Sequence, residues 1–164
     1  MKNDICGFTL IEVIAILFII GILAAIAVSR FADMQSIRSM AAADTLKNRI
    51  RFVQSQAMKN SSWGDGVEGE KCWGITCDQN STYWFFAKSD PEDADNQFTF
   101  PGEKDVKITV SDVTITPFKI LFDIYGIPYT AFTDENTNAK LVNPLQITVG
   151  SETMTLIPET GFIQ

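Results

Sequence analysis

Residues 7–28 read GFTLIEVIAILFIIGILAAIAV, and a single charge, Glu12, interrupts them. From Phe8 to Val28 is 21 residues. As a helix that stretch is about 31 Å long, close to the hydrocarbon thickness of a bilayer. A carboxylate costs roughly 2.5 kcal/mol or more at the centre of such a layer, so Glu12 calls for a partner or a polar interface. The segment is not an ordinary secretory signal. Only MKNDICG precedes it, the apolar run exceeds the usual signal core of about 7–15 residues, and no A-x-A site follows.

Beyond Val28 the helical pattern continues rather than stops. Phe31, Met34, Ile37, Ala41, Leu46, Ile50, Val53 and Ala57 fall mostly three or four apart with charges between them, and the first proline is Pro91. The spacing predicts one helix from about 8 to about 59, on the order of 78 Å long, with an apolar half (8–29) and an amphipathic half (30–60). Ser61, Ser62, Gly64, Gly66 and Gly69 then mark a loop, and β-rich runs follow at 82–88, 105–115, 118–123, 145–149 and 153–157. A bulge or turn is expected at Ser111–Asp112, and turns at Gly126, Pro128, 136–138 and Gly150. The fold class is therefore α+β: a long N-terminal helix packed on a mainly antiparallel β-sheet head over 61–164.

Charge separates the two parts. Residues 8–60 carry a net +3, whereas residues 61–164 hold six basic and sixteen acidic side chains. A head this acidic argues against nucleic acid as a partner, because phosphate contacts need basic surface. The chain contains no histidine, which removes His-based triads and His-ligated zinc. No nucleophile motif replaces them, so an enzyme is not expected, nor a cofactor. Of the three cysteines, Cys6 precedes the apolar run while Cys72 and Cys77 lie in the head.

Gly7-Phe8-Thr9-Leu10-Ile11-Glu12-Val13, with the apolar run closing on GILAAIAV, resembles the N-terminus of type IV prepilins and type II secretion pseudopilins. The resemblance implies the ladle-shaped pilin fold and a leader, residues 1–7, removed by a prepilin peptidase that cuts between Gly7 and Phe8 and N-methylates Phe8. Cys6 would leave with the leader. It also implies that Glu12 pairs with the N-terminal ammonium of a neighbouring subunit. A carboxylate in an apolar bundle is tolerable only when paired. In an isolated membrane-bound subunit Glu12 can instead snorkel to the interface, four residues from the mature terminus.

The implied partners are other pilin subunits through a helix bundle, the peptidase, an inner-membrane assembly platform and, before assembly, the bilayer. The implied location is the bacterial inner membrane, single-pass with a periplasmic head, then an extracellular filament or a periplasmic pseudopilus. Many type IV pilins have proline where this chain has Ser29, so a kink there is not implied, although Gly21 leaves room for loosening. FDIYGIPY (122–129) and the closing Pro158-Glu159-Thr160-Gly161-Phe162 resemble minor pilins of the mannose-sensitive haemagglutinin pilus type and pseudopilins with similar heads. The alternative to a filament subunit is a membrane-anchored periplasmic binding module that never polymerises.

On that placement outside the cytoplasm, Cys72 and Cys77 are expected to form a disulfide closing a small ring after the helix. The acidic residues Asp90, Glu92, Asp93 and Asp95, and the group Asp134, Glu135 and Asn136, are weak calcium candidates. Neither matches an EF-hand loop, and solvated surface charge is the simpler reading. Asn80-Ser81-Thr82 has the N-glycosylation pattern. Among Trp73, Tyr83, Trp84, Phe85 and Phe86, alternation is expected to bury every second ring.

Overall fold

The structure, a computed structural model, describes residues 9–60, 72–88, 90–131 and 139–164, with the backbone alone for 27–33. The described contacts divide the chain into two compact units, Met1–Ile37 and Arg38–Gln164. The boundary falls inside the helix rather than after it, so the second part of the helix belongs to the head by its packing.

Helix α1 runs from Leu10 to Asn60, unbroken at Gly21 and Ser29. In the second unit it buries Ser39, Leu46, Ile50, Val53 and Ala57, with Ala42 and Ala43 partly covered. This stripe agrees with the expected face from Leu46 onward and departs from it earlier. Ile37 is exposed and so is Ala41, whereas Ser39 is fully buried. The reason is the Gly150 turn. A Cβ added at Gly150 would meet the Ser39 side chain, and Val113 at 3.0 Å, so the turn approaches the helix where only a small residue fits. Each fully buried Leu, Ile or Val on the stripe contributes about 1.5–3 kcal/mol.

The sheet lies against this stripe. Strands β1 (Trp73–Cys77), β2 (Thr82–Ala87), β3 (Gln97–Phe98), β4 (Lys107–Thr109), β5 (Phe118–Phe122), β6 (Pro128–Ala131) and β7 (Ala139–Lys140) form one antiparallel sheet. Its order is β3-β2-β1-β5-β6-β7, with β4 also pairing with β2. Strands β8 (Leu145–Val149) and β9 (Glu152–Leu156) make a separate hairpin across Gly150-Ser151, with Gly150 at φ 59°. The run at 105–115 is broken at Ser111–Val113, as expected, and Ile115 bridges Val149 to tie the hairpin to the head. The C-terminus folds back on β9: Ile163 bridges Leu156, and the Gln164 and Thr155 backbones exchange two hydrogen bonds.

Strand β1 overturns one expectation. It is an interior strand of the sheet, paired with β2 through Trp73↔Ala87 to Cys77↔Tyr83 and with β5 through Trp73↔Phe122 to Cys77↔Phe118. Cys72 and Cys77 therefore sit at opposite ends of an extended segment, about 16 Å apart at about 3.3 Å per residue. A disulfide needs Cα atoms about 4.4–6.8 Å apart. Five positions of separation also put the two side chains on opposite faces. The structure holds both as buried thiols, not as a disulfide.

The sheet is covered on both faces, which is why the aromatic run is more buried than alternation predicts. Ile75, Cys77, Tyr83, Phe85, Phe118, Ile120 and Phe122 face α1 and join its stripe in the main core. Cys72, Phe86 and Leu121 form a smaller cluster on the other face with Tyr129 against it. Trp84, also on that face, is covered by the following loop: its Nε1–H donates to the Pro91 carbonyl at 2.7 Å, and Lys107 lies 4.2 Å from the ring centroid. Tyr83, Trp84, Phe85 and Phe86 are all buried, and Trp73 is half-buried edge-on to Phe98.

Arg49 joins helix to head at the edge of the main core. Its guanidinium donates to the Tyr83 hydroxyl and to Glu103, and lies over the rings of Tyr83 and Phe100. Burial, together with the Glu103 charge, raises the Tyr83 phenol above its ordinary value, with Arg49 pulling the other way. The Arg49 side chain is 12% exposed and that of Glu103 35%, so water screens one partner. Arg49→Met is expected to cost about 1–2 kcal/mol, read as a lower urea midpoint. The difference from wild type should shrink at high salt; a salt-independent difference would assign the loss to packing alone.

Candidate functional site

The N-terminal unit has a surface unlike that of the head. Helix α1 opens at Thr9, whose carbonyl accepts the Glu12 and Val13 N–H groups at 3.1 and 3.3 Å; the Thr9 hydroxyl lies 3.4 Å from the Glu12 nitrogen. This is the usual use of a threonine before a first turn. Glu12, three residues on, is exposed in the chain by itself, and its charge is favourable near a helix N-terminus.

The apolar side chains then cover every side of the helix. Leu10, Ile11, Val13, Ile14, Ile16, Leu17, Phe18, Ile19, Ile20, Ile22, Leu23 and Ile26 are 44–78% exposed. Successive residues turn by about 100°, so this run leaves no polar face. A helix apolar all round is normally covered, either by lipid or by other protein. Among the described residues no helix is long and apolar enough to cross a membrane. The described side chains of the run stop at Ile26, and the 8–28 segment read from the sequence extends past them at both ends. Gly7 and Phe8, the expected cleavage and methylation residues, lie outside the described residues.

Residues 2–28 match the family model of the prokaryotic N-terminal methylation motif. The methylation-motif match spans the charged residues before Gly7, then Gly7, Phe8, Glu12 and the apolar run together, the same residues on which the resemblance to prepilins and pseudopilins rests. Neither the curated proteins nor the solved structures offer a significant match to the chain.

In the head, the other candidates become structural. Asp90 accepts the Glu92 N–H at 2.9 Å and Asp93 accepts the Asp95 N–H at 3.0 Å, opening the short 3-10 turn Ala94–Asn96. Among the described residues no group of three or more His, Cys, Asp or Glu side chains is placed to hold a metal ion. Asp134, Glu135 and Asn136 lie outside the described residues. Asn80 is exposed in the β1–β2 turn, where Asp78 accepts the N–H groups of Asn80 and Thr82. Ser81, at φ 57°, is buried and accepts the Ile115 N–H at 2.9 Å. Cys77 is not a reactive thiol, since burial, reinforced by the Asp78 charge, pushes its pKa up to about 12.

Asp123 and Gln54 emerge only from the structure. In the FDIYGIPY stretch, buried Asp123 accepts the N–H groups of Tyr125 and Ile127 at 2.9 and 2.8 Å, and the Tyr129 hydroxyl lies 3.4 Å from its other oxygen. Burial, then the Asp123 charge, raises the Tyr129 phenol. The turn ends at Gly126, φ 76°, whose carbonyl accepts from Gln54 on α1 at 2.9 Å; Gln54 also donates to Thr160. The closing PETGF segment is thus held to the helix beside Arg51, which donates to the Ile163 carbonyl at 3.1 Å. Asp123→Ala leaves two turn N–H groups without their acceptor and is expected to cost about 2–3 kcal/mol, with Asp123→Asn near half that because it keeps an oxygen in place. Equal losses in denaturant titrations would show that the negative charge, not the acceptor geometry, matters.

Proposed function

We propose that this chain is a structural subunit of a type IV pilus-like filament, a minor pilin or pilin-like component. The observation that carries the reading is a methylation-motif segment whose helix is apolar on every side. In this reading residues 1–7 are a leader removed by a prepilin peptidase, and Phe8 becomes the methylated N-terminus. The helix half 8–29 rests in the inner membrane before assembly and in the filament core afterwards. Residues 30–60 and the head 61–164 form the outer layer, where the closing FDIYGIPY and PETGF segments support the minor-pilin assignment by resemblance.

Glu12 supplies the specificity. Lipid tails are as apolar as the helix, so transfer from bilayer to bundle gains little hydrophobic energy, and packing with polar pairing decides association. A new α-amine at Phe8 of one subunit and Glu12 of the next neutralise each other in that setting.

The intact mass of the chain purified from its native membrane tests the reading. The expected species begins at Phe8 and carries one added methyl group. A chain that keeps Met1 would overturn the proposal and favour a membrane-anchored module that does not polymerise. A type II secretion pseudopilin uses the same N-terminal segment, and recovery in sheared surface filaments separates a pilus subunit from it.

A further inference from the structure

We propose that Cys72 and Cys77 are an oxidation site of the unfolded chain only: a disulfide between them and strand β1 exclude each other, so oxidation before folding blocks the native sheet. The two residues bracket a strand that is laddered on both sides, to β2 and to β5. Cys77 points into the main core beside Phe118, and Cys72 into the opposite cluster with Phe86 and Leu121. Bringing their sulfurs together requires both ladders to open and the strand to fold on itself. In the unfolded chain nothing opposes closure. Only Trp73, Gly74, Ile75 and Thr76 lie between; closing so short a loop costs little entropy, and the glycine admits the turn conformations that closure needs.

The chemistry balances with a soluble disulfide as oxidant. Each cysteine loses its sulfhydryl proton, an Sγ–Sγ bond forms, and two electrons and two protons pass to the oxidant, which leaves as two thiols. Thiolate attack is the required first step. The native fold withholds it, because both sulfurs are buried. The protection is therefore reciprocal: the folded sheet shields the thiols, and the disulfide forbids the sheet. Folding first gives a lasting reduced head, and oxidation first gives a chain that needs a thiol reductant before β1 can form. This holds whether or not the chain polymerises.

The test uses the full chain in detergent micelles with Cys6→Ala, which leaves Cys72 and Cys77 as its cysteines. Unfolded in urea, it is treated with oxidised glutathione, and the species lighter by two hydrogens and free of glutathione is isolated and diluted to refold. The expected result is loss of the native near-ultraviolet circular dichroism and of protease resistance, both restored by dithiothreitol. The same oxidant added after folding should leave mass and spectrum unchanged. A Cys72→Ala, Cys77→Ala variant that folds should refold equally with and without oxidant. Native structure in the oxidised, lighter species would overturn the proposal, as would failure of the unfolded chain to yield a Cys72–Cys77 link in a peptide map.

Discussion

Gly74→Ala is expected to destabilise the folded head by about 3 kcal/mol, at the upper end of overpacking in a tight core. Gly74 sits in the middle of β1, opposite Phe86 on β2 and Leu121 on β5. A Cβ there would overlap the Phe86 ring and stand 2.8 Å from the Ile120 carbonyl oxygen. Neither neighbour can yield cheaply, since Phe86 is fully buried and Ile120 belongs to the β5 ladder. The readout is the melting temperature of the full chain in detergent, with a fall of roughly 6–12 °C for a chain of this size. Gly102→Ala is the control. It adds a methyl group where nothing lies within 4 Å, so its cost is confined to the backbone at φ 95° and is about 1–2 kcal/mol. Equal shifts for the two variants would show that the Phe86 ring swings aside and that the close approach is not what confines position 74 to glycine.

That glycine also explains where the sequence was legible and where it was not. The helix, the break at Ser111–Val113 and the strands near 82–88, 118–123, 145–149 and 153–157 follow local periodicity and turn residues, and all are present. Strand β1 carries no such signal. Gly74 interrupts its alternation, and two cysteines at its ends suggest a ring where the chain is extended. The aromatic run of β2 misleads in a different way. Period-two alternation tells which rings share a face but not whether the second face is covered, and Pro91 in the following loop and Lys107 on β4 cover it. Arg49, Gln54 and Asp123 depend on partners 34 to 106 residues away or on a turn geometry that composition alone does not reveal. The match of the N-terminal segment to the methylation-motif family was legible because its signal lies in contiguous residues: Gly7, Phe8, Glu12 and a long apolar run.

Glu12→Leu is expected to leave the amount of the protein in the membrane fraction unchanged and to remove it from assembled filaments. The substitution deletes the one charge of the apolar run, so insertion is favoured rather than opposed. The helix start survives, because the Glu12 and Val13 N–H groups are held by the Thr9 carbonyl and not by the Glu12 side chain. What disappears, on the proposed assembly, is the carboxylate facing the α-amine of a neighbour. That amine would then be left unpaired in an apolar bundle, which costs more than the pair itself contributes. Glu12→Gln separates charge from hydrogen bonding: an amide still accepts from the ammonium but leaves its charge uncompensated, so incorporation should be low though above that of Glu12→Leu. The measurement is the ratio of the subunit in sheared filaments to that in membranes, with Phe8 methylation followed by mass to confirm that processing is intact. Wild-type incorporation by Glu12→Leu would remove the ion pair from the account and leave helix packing alone to set the register. Loss of incorporation with Phe8 unprocessed would instead place Glu12 in recognition by the peptidase. A filament defect with normal processing and normal membrane levels is the outcome that assigns Glu12 to the contact between subunits.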